Sequence, residues 1–579
     1  MTIDTASVAS TGVSGLDEIL GGGLPKHHVF LIQGDPGAGK TTLSLQFLLD
    51  GAKQGEKGLY LTLSETVKEL HSVARSHGWS LDPIVIHEQL VGEEMLSEEE
   101  DLTLFHPSEI ELGETVKTLL RVVEREKPAR VVLDSLSEIR LLSQSTLRYR
   151  RQVLALKEFF ANRKITAFFL DDRTAELNDL QLHSVPHGVV VLERLAPMYG
   201  APRRRLEVVK VRGVNYRGGF HDFSIVTGGI VVFPRPPLTS HRKEAIPGQI
   251  TSELPELDAL TGGGLRRGNS TLLMGPAGVG KSTLATQYAV AAAARGERVA
   301  MFVFDESIGT LFQRSEDLGM PLGRRVEEGR ISTQQIEPAE LAPGEFGCLV
   351  RDAVEKHGVK VVVIDSLNGY LNAMPEERFL TLHLHELLSY LGERGVTTIL
   401  VMAQHGLIGL GMTSSVDVSY LADCVILLRY YESNAQIHKA ISVLKKRSGP
   451  HERWIRDYDM GPTGIRVGPP HTHGRRRIRR WYAPFERRRG CSPVARIGAP
   501  GARESSSKGA EQDSDVRSLR CFGGCARELG CPFARLGRAR SWRLRSLLCC
   551  SSPDSLNSPA RWLSRRSRSP RRPASRSRR

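Results

Sequence analysis

The sequence predicts an α/β protein in which one nucleotide-binding fold is built twice, each copy around a parallel-rich central sheet, with a basic tail behind the second. Three observations carry this prediction. An extended element recurs at a constant spacing, a glycine-rich phosphate loop lies between strand and helix in both copies, and the composition changes abruptly near residue 467.

The repeat sets the domain count. Leu16-Asp17-Glu18-Ile19-Leu20 followed by Gly21-Gly22-Gly23-Leu24 returns as Leu257-Asp258-Ala259-Leu260-Thr261 followed by Gly262-Gly263-Gly264-Leu265, 241 residues on. The stretch Gly34-Asp35-Pro36-Gly37-Ala38-Gly39-Lys40-Thr41 returns as Gly275-Pro276-Ala277-Gly278-Val279-Gly280-Lys281-Ser282 at the same offset. A third pair, Arg130–Ser135 and Lys360–Ser366, is offset by 231, so intervening loops differ in length. The expected partition is a first domain over 1–235, a proline-rich linker over 236–246, a second domain over 247–466 and a disordered basic tail over 467–579. The run Phe233-Pro-Arg-Pro-Pro237 at the join reads as stiff.

Within each copy the order is strand, glycine loop, helix, strand. Val29–Gln33 is a short apolar run and predicts a buried strand, with a helix from about Thr42 to Ala52 after the loop. A strand at Leu59–Leu63 and a helix from about Val67 to His77 follow. The second copy repeats this as Thr271–Met274, Thr283–Arg295 and Val299–Phe304. Short apolar strands alternating with helical stretches predict a parallel sheet covered on both faces.

The pattern GxxxxGK[ST] needs glycines so that backbone N–H groups turn inward on phosphates. Its lysine reaches the β- and γ-phosphates, and its hydroxyl reaches Mg²⁺. ATP and Mg²⁺ are therefore the expected ligands, with Gly34–Thr41 and Thr42 in the first site and Gly275–Ser282 and Thr283 in the second. Asp134 and Asp365 each end an apolar run, the position from which a carboxylate holds Mg²⁺ at a sheet edge. Thr41 and Asp134, and Ser282 and Asp365, are the expected metal-side residues. Activating water or a hydroxyl requires a further carboxylate. Glu65 in Ser64-Glu65-Thr66 and Glu306 in Asp305-Glu306-Ser307 stand 241 residues apart at the end of the second strand and are the expected catalytic bases, with Lys40 and Lys281 as their electrostatic partners.

This set resembles the KaiC family within the RecA-like ATPases, over about 1–465 and in both copies. The resemblance rests on the leading LD-x-hydrophobic-L-x-GG-G-L element, the phosphate loop, the carboxylate after strand two and the aspartate strand. It implies two tandem RecA-like P-loop domains, ATP hydrolysis and serine/threonine autokinase activity in a ring used for signalling, with partner proteins that the sequence does not name. Lys210-Val-Arg212-Gly213 and Lys445-Lys-Arg447-Ser448 look like the family's K-x-R element, which reaches the nucleotide of the adjacent subunit in a hexamer. By this resemblance Lys210, Arg212, Lys445 and Arg447, joined by nearby His451, contact nucleotide in trans in a homo-oligomer.

Departures from the family matter. KaiC carries paired glutamates after strand two, where this chain has Ser64-Glu65 and Asp305-Glu306. The family's adjacent Ser and Thr phosphoacceptors fall on Ser419 and Tyr420, so Ser419 is the one retained acceptor and kinase chemistry is expected in the second copy. Asp171-Asp172-Arg173 follows a late strand where the second copy has Gln404-His405, and these are read as sensors of the γ-phosphate.

The net charge of +14 belongs to the tail. Residues 471–579 hold 28 Lys+Arg, 27 of them Arg, against seven Asp+Glu, leaving an acidic body. The pI is therefore no argument for nucleic-acid binding by the core. Such an arginine-rich run is of the kind that binds nucleic acid or anionic surfaces electrostatically; the abrupt change, with Arg over Lys and scattered Cys and Trp, reads rather as the signature of a frame-shifted reading of GC-rich coding sequence. Cys521, Cys525 and Cys531 lack zinc-finger spacing, and Cys348 and Cys424 read as core residues. The histidines, including His27, His28, His183 and His187, show no metal-ligand spacing. No segment approaches the roughly 18 apolar residues of a membrane helix, and residues 1–12 lack a secretory pattern. A cytoplasmic protein without membrane contact is expected. The competing class is a RecA/RadA-type DNA-dependent ATPase, but no cysteine precedes Cys348 to form a zinc ribbon, and duplication of the whole core suits a double ring. A nucleotide-gated scaffold with inert sites is disfavoured by retention of Lys40, Lys281, Glu65 and Glu306.

Overall fold

The computed structural model describes residues 7–89, 107–143, 145–173, 180–196, 200–236, 246–372, 380–404, 419–433 and 435–470. The tail from 471, most of the 236–246 linker, His405 and residues 415–418 lie outside these.

The first copy opens with β1 (Val8–Ala9), α1 (Ser14–Ile19), β2 (Leu24–Pro25), β3 (Val29–Gly34), α2 (Lys40–Lys53) and β4 (Gly58–Thr62). It continues with α3 (Val67–Ser76), β5 (Ile84–Glu88), α4 (Pro107–Glu126), β6 (Arg130–Asp134), α5 (Leu136–Ser143) and α6 (Thr146–Asn162). It closes with β7 (Thr166–Asp172), α7 (Leu180–His183), β8 (Gly188–Leu195), β9 (Arg203–Val211), β10 (Phe220–Val226) and β11 (Gly229–Phe233). The nine strands form one sheet in the order β11-β10-β9-β8-β3-β7-β6-β4-β5. The six strands from β8 to β5 run parallel, and β9, β10 and β11 add antiparallel.

The second copy repeats this plan. Its elements are β12 (Gln249–Ile250), α8 (Pro255–Leu260), β13 (Leu265–Arg266), β14 (Ser270–Gly275), α9 (Lys281–Ala294), β15 (Val299–Val303), α10 (Ile308–Asp317) and α11 (Leu322–Glu327). Then come β16 (Ile331–Gln335), α12 (Pro343–Glu355), β17 (Val361–Asp365), α13 (Leu367–Asn372), α14 (Leu380–Glu393) and β18 (Thr397–Ala403). The last four strands are β19 (Cys424–Ser433), β20 (Gln436–Lys446), β21 (Arg456–Gly461) and β22 (Gly464–Pro470). Strand order is β16-β15-β17-β18-β14-β19-β20-β21-β22, with β16 to β19 parallel. These are two RecA-like α/β domains, each with apolar clusters on both faces of its sheet, which is why the central strands read as unbroken apolar runs.

Two boundaries differ from expectation. Both loop helices start at the lysine rather than two residues later, because Gly39 (φ 105°) and Gly280 (φ 106°) adopt the left-handed conformation and end the loop there. The regular fold also runs past 466: Val467 pairs with Tyr458 across β21 and β22, so 467–470 complete a strand rather than begin the tail.

The copies touch through the far edge of the first sheet. Asp222 on β10 accepts from the backbone N–H of Gly344 at 2.7 Å, capping α12 from outside its own copy, and Arg351 reaches Glu18 at 3.1 Å. Arg235, on the chain leading into the linker, pairs with Glu386.

Candidate functional site

Each phosphate loop joins a buried strand to a helix, so the helix N-terminus and the loop N–H groups face one point, the arrangement that binds phosphate. The glycines are sterically required at the junction. A Cβ on Gly39 would lie 2.8 Å from Ile225 Cδ1, and one on Gly34 would lie 2.6 Å from the carbonyl oxygen of Leu192. Lys40 Nζ donates to the carbonyls of Gly34 (3.0 Å) and Asp35 (3.3 Å), and Lys281 Nζ donates to that of Pro276 (2.8 Å).

The carboxylates converge on the same point because β4 and β6, like β15 and β17, are neighbouring parallel strands whose C-terminal tips meet there. Asp134 and Asp365 are 5 % and 7 % exposed. Burial raises both, Asp365 to about 6, although Ser282 donates a hydrogen bond to it. Thr41 Oγ1 donates to Glu65 Oε1 at 3.3 Å. Burial and then the neighbouring Asp134 push the Glu65 carboxyl up to about 7. One oxygen of each catalytic candidate, Glu65 Oε2 and Glu306 Oε1, is buried without a hydrogen-bond partner. A buried acceptor of this kind is costly unless a further group satisfies it. A hydroxyl beside a strand-tip aspartate next to a phosphate loop is donor chemistry that fits Mg²⁺.

Side by side, the sites differ in residues that motif reading passed over. Tyr60 donates to Asp134 Oδ2 at 2.5 Å; its counterpart is Met301, which cannot. Glu306 is paired with Arg314 on α10, whereas the first copy has Val73 at the matching place. Asp305 accepts from Ser366. The 241-residue offset places Tyr60 against Met301 and Val73 against Arg314, so subtracting one copy from the other is the signal that finds them.

The late strands pair in a different register from the one expected. Gly34 is in register with Asp172 and Gly275 with Ala403, and Arg173 and Gln404 each donate their backbone N–H to those glycines' carbonyls. Asp171-Asp172-Arg173 therefore matches Met402-Ala403-Gln404, so that Gln404 answers to Arg173 and not to either aspartate, and His405 lies outside the described residues. Asp171 is buried in an ion pair with Arg140 at 2.9 Å, a structural role. Asp172 instead lies 2.6 Å from Lys40 Nζ.

The K-x-R residues do not join their own site. β9 runs antiparallel to β8, with Val211 opposite Gly188 and Gly188 opposite Phe30 at the start of β3. Arg212 is thus at the N-terminal rim of the sheet and the phosphate loop at the C-terminal rim, about 15 Å away at 3.3 Å per residue. Lys446 stands likewise opposite Cys424, beside Thr271 at the start of β14. Here Lys445 Nζ donates to the carbonyls of Ser419 (2.9 Å) and Ala422 (2.8 Å), and Arg447 to the carbonyl of Tyr420 and to Asp423 Oδ1 at 3.3 Å. Ser419 therefore shares the far rim with Lys445 and Arg447; His451 follows them, half-buried. The leading LD element is structural too: Asp17 accepts from Thr11 and Asp258 from Ser252, bracing each entry segment.

Fold and site together define a P-loop ATPase in duplicate. The family model described as "ATPase: KaiC" matches residues 9–237 and again 250–472. The chain belongs to the KaiC family of ATPases. It is similar to the circadian clock protein KaiC3 of Synechocystis sp., 26% identical over 464 residues, covering 79% of this chain and 91% of that protein. It is also similar to the circadian clock oscillator proteins KaiC of Parathermosynechococcus lividus (25% identical over 464 residues; 79% of this chain, 84% of that protein) and Synechococcus elongatus (24% over 461 residues; 78% and 88%). Among the described residues no helix is long and apolar enough to cross a membrane.

Proposed function

We propose that this KaiC-family ATPase hydrolyses Mg-ATP and, in its second copy, phosphorylates Ser419 of a neighbouring subunit in a ring that signals through its nucleotide and phosphorylation state. The observation that carries this is the placement of Ser419, Lys445 and Arg447 on the rim opposite their own phosphate loop, out of its reach and open to the phosphate loop of another subunit. Thr41 with Asp134, and Ser282 with Asp365, would hold Mg²⁺, which supplies charge neutralisation on the phosphates. Lys281 and the N–H groups from Gly275 to Thr283 hold the triphosphate. Glu306, supported by Asp305, accepts the proton of the attacking hydroxyl as its oxygen bonds to the γ-phosphorus and ADP leaves. In the first copy Lys40, Gly34–Thr42 and Glu65 do the same for water, and Lys210 and Arg212, like Lys445, Arg447 and His451 in the second, steady the charge from the adjacent subunit. The first copy, with a single carboxylate after β4, chiefly holds the ring together around its nucleotide.

Incubation with γ-labelled ATP and phosphosite mapping tests this. Label on Ser419, lost in Lys281→Ala and Glu306→Gln, is expected. Phosphate release without any protein label would leave an ATPase alone.

A further inference from the structure

The two copies differ in what touches their phosphate-binding lysines: Lys281 feels Asp365 without pairing with it, whereas Lys40 pairs directly with a carboxylate. Asp172 closes β7 in register with Gly34, and its Oδ1 lies 2.6 Å from Lys40 Nζ. That nitrogen is the one that meets the β- and γ-phosphates in a loop of this pattern, so a carboxylate oxygen stands where a phosphoryl oxygen would. The strand tip is anchored. Asp171 is gripped by Arg140 Nη2 at 2.9 and 3.0 Å and by Gln33 Nε2 at 3.1 Å, and the Asp172 backbone N–H donates to Ser137 Oγ at 3.2 Å. Glu138 and Asp134 add negative charge around Asp172, and the adjacent Arg173 is spoken for by Glu193 at 2.7 Å. In the second copy Gly275 is in register with Ala403, whose backbone is bracketed by Asn368. Among the described residues no carboxylate pairs with Lys281.

Resting on the nucleotide role proposed above for the first phosphate loop, we infer that Asp172 is a specificity-determining residue that makes the first copy a diphosphate-preferring site, while Ala403 leaves the second open to the triphosphate. An ammonium has three donors; in Lys40 two of them reach the Gly34 and Asp35 carbonyls, so a β-phosphate can take those places while Asp172 keeps the third. A γ-phosphate has to take the carboxylate's place on Lys40, and the anchored tip keeps that like charge within a few ångströms of it. The repulsion falls on the third phosphate and spares the first two. The first copy then retains ADP after turnover and recharges slowly, while the second exchanges freely.

The test uses the full chain carrying Lys281→Ala, titrated in Mg²⁺ with fluorescent ADP and with a fluorescent β,γ-imido analogue of ATP. The diphosphate is expected to bind more tightly. Asp172→Asn is expected to move the ratio of the two dissociation constants about tenfold toward the triphosphate, equivalent to about 1.4 kcal/mol. Diphosphate affinity should change by less than about threefold. The converse chain, Lys40→Ala with Ala403→Asp, should move the second site toward the diphosphate, and it decides the matter if Asp172→Asn fails to fold. Ratios unchanged within about twofold in the variants that fold would overturn the role of Asp172. Binding of neither nucleotide by a Lys281→Ala chain that still melts cooperatively would remove the nucleotide role of the first loop itself, a separate failure.

Discussion

At the tip of β17, Asp365 is 7 % exposed and faces Glu306 and Asp305. Its carboxyl, ordinarily at 3.8, is pushed up to about 6 by burial, with those two carboxylates adding to it. A carboxyl raised on folding contributes stability below its unfolded value and loses it as pH rises through the folded one. The nucleotide-free chain therefore loses stability between about pH 4 and pH 7 on account of this residue, by about 3 kcal/mol at most. Asp365→Asn removes the titration. We expect that variant to melt several degrees higher than the unaltered chain at pH 7.5 without nucleotide, and to gain less from Mg-ATP than the unaltered chain, since only its first site keeps the aspartate. Differential scanning measurements at pH 5 and pH 7.5 check this. A lower melting temperature for the variant at pH 7.5 would show that Asp365 stabilises the empty fold. Glu65, raised to about 7, belongs to the same pattern, in which residues aimed at a metal and phosphates weigh on the fold that presents them.

The phosphate loops work as elements because a left-handed glycine hands the strand over to the helix. Gly39 has φ 105° and no room for a side chain beside Ile225. Gly39→Ala must therefore strain the backbone or shift β10, at about 1–3 kcal/mol. We expect bound nucleotide, measured by chromatography of the denatured protein, to fall from two per chain to one; two retained per chain would contradict the steric argument. These loops, their strands and the aspartates at the strand tips were legible because each is a local pattern that repeats at a fixed offset. The fold class followed from the same alternation. What was not legible depended on register across the sheet. The 231-residue offset of Asp134 and Asp365 carries Asp172 onto Ala403 and not onto Gln404 or His405, and only the register of β7 and β18 with the loop strands shows that this offset is the one that applies. Arg314 sits eight residues after Glu306 and becomes meaningful only when α10 turns it back onto that carboxylate. The burial of Asp171 against Arg140 joins α5 to β7, a contact that no spacing in the chain announces.

At the scale of the molecule, each copy carries its phosphate loop and its K-x-R residues on opposite rims of one sheet. On the role in trans proposed above for the K-x-R residues, such a body does not complete its own site, and identical bodies arranged head to tail can complete one another's, closing into a ring when the rotation permits. The capping of α12 by Asp222 and the Arg351–Glu18 pair tie the copies of one chain together, so two such rings would be stacked by covalent necessity. This geometry makes a prediction that separates action in trans from action within a chain. A chain with Lys281→Ala retains an acceptor but lacks a competent second loop. A chain with Ser419→Ala retains the loop but lacks the acceptor. Neither alone should incorporate label from γ-labelled ATP at residue 419. When the two are mixed under conditions that let subunits exchange, label should appear on Ser419 of the Lys281→Ala chain, distinguished by a size tag. Its amount should rise with the fraction of the Ser419→Ala partner, because each acceptor needs a neighbour with an intact loop. Adding Arg447→Ala to the Lys281→Ala chain, which supplies both the acceptor and the rim cations, should lower that signal about tenfold or more, where a full arginine finger supplied in trans is worth about 10³–10⁵. Label on the Lys281→Ala chain in the absence of its partner would instead place the reaction within a subunit and sink the trans arrangement.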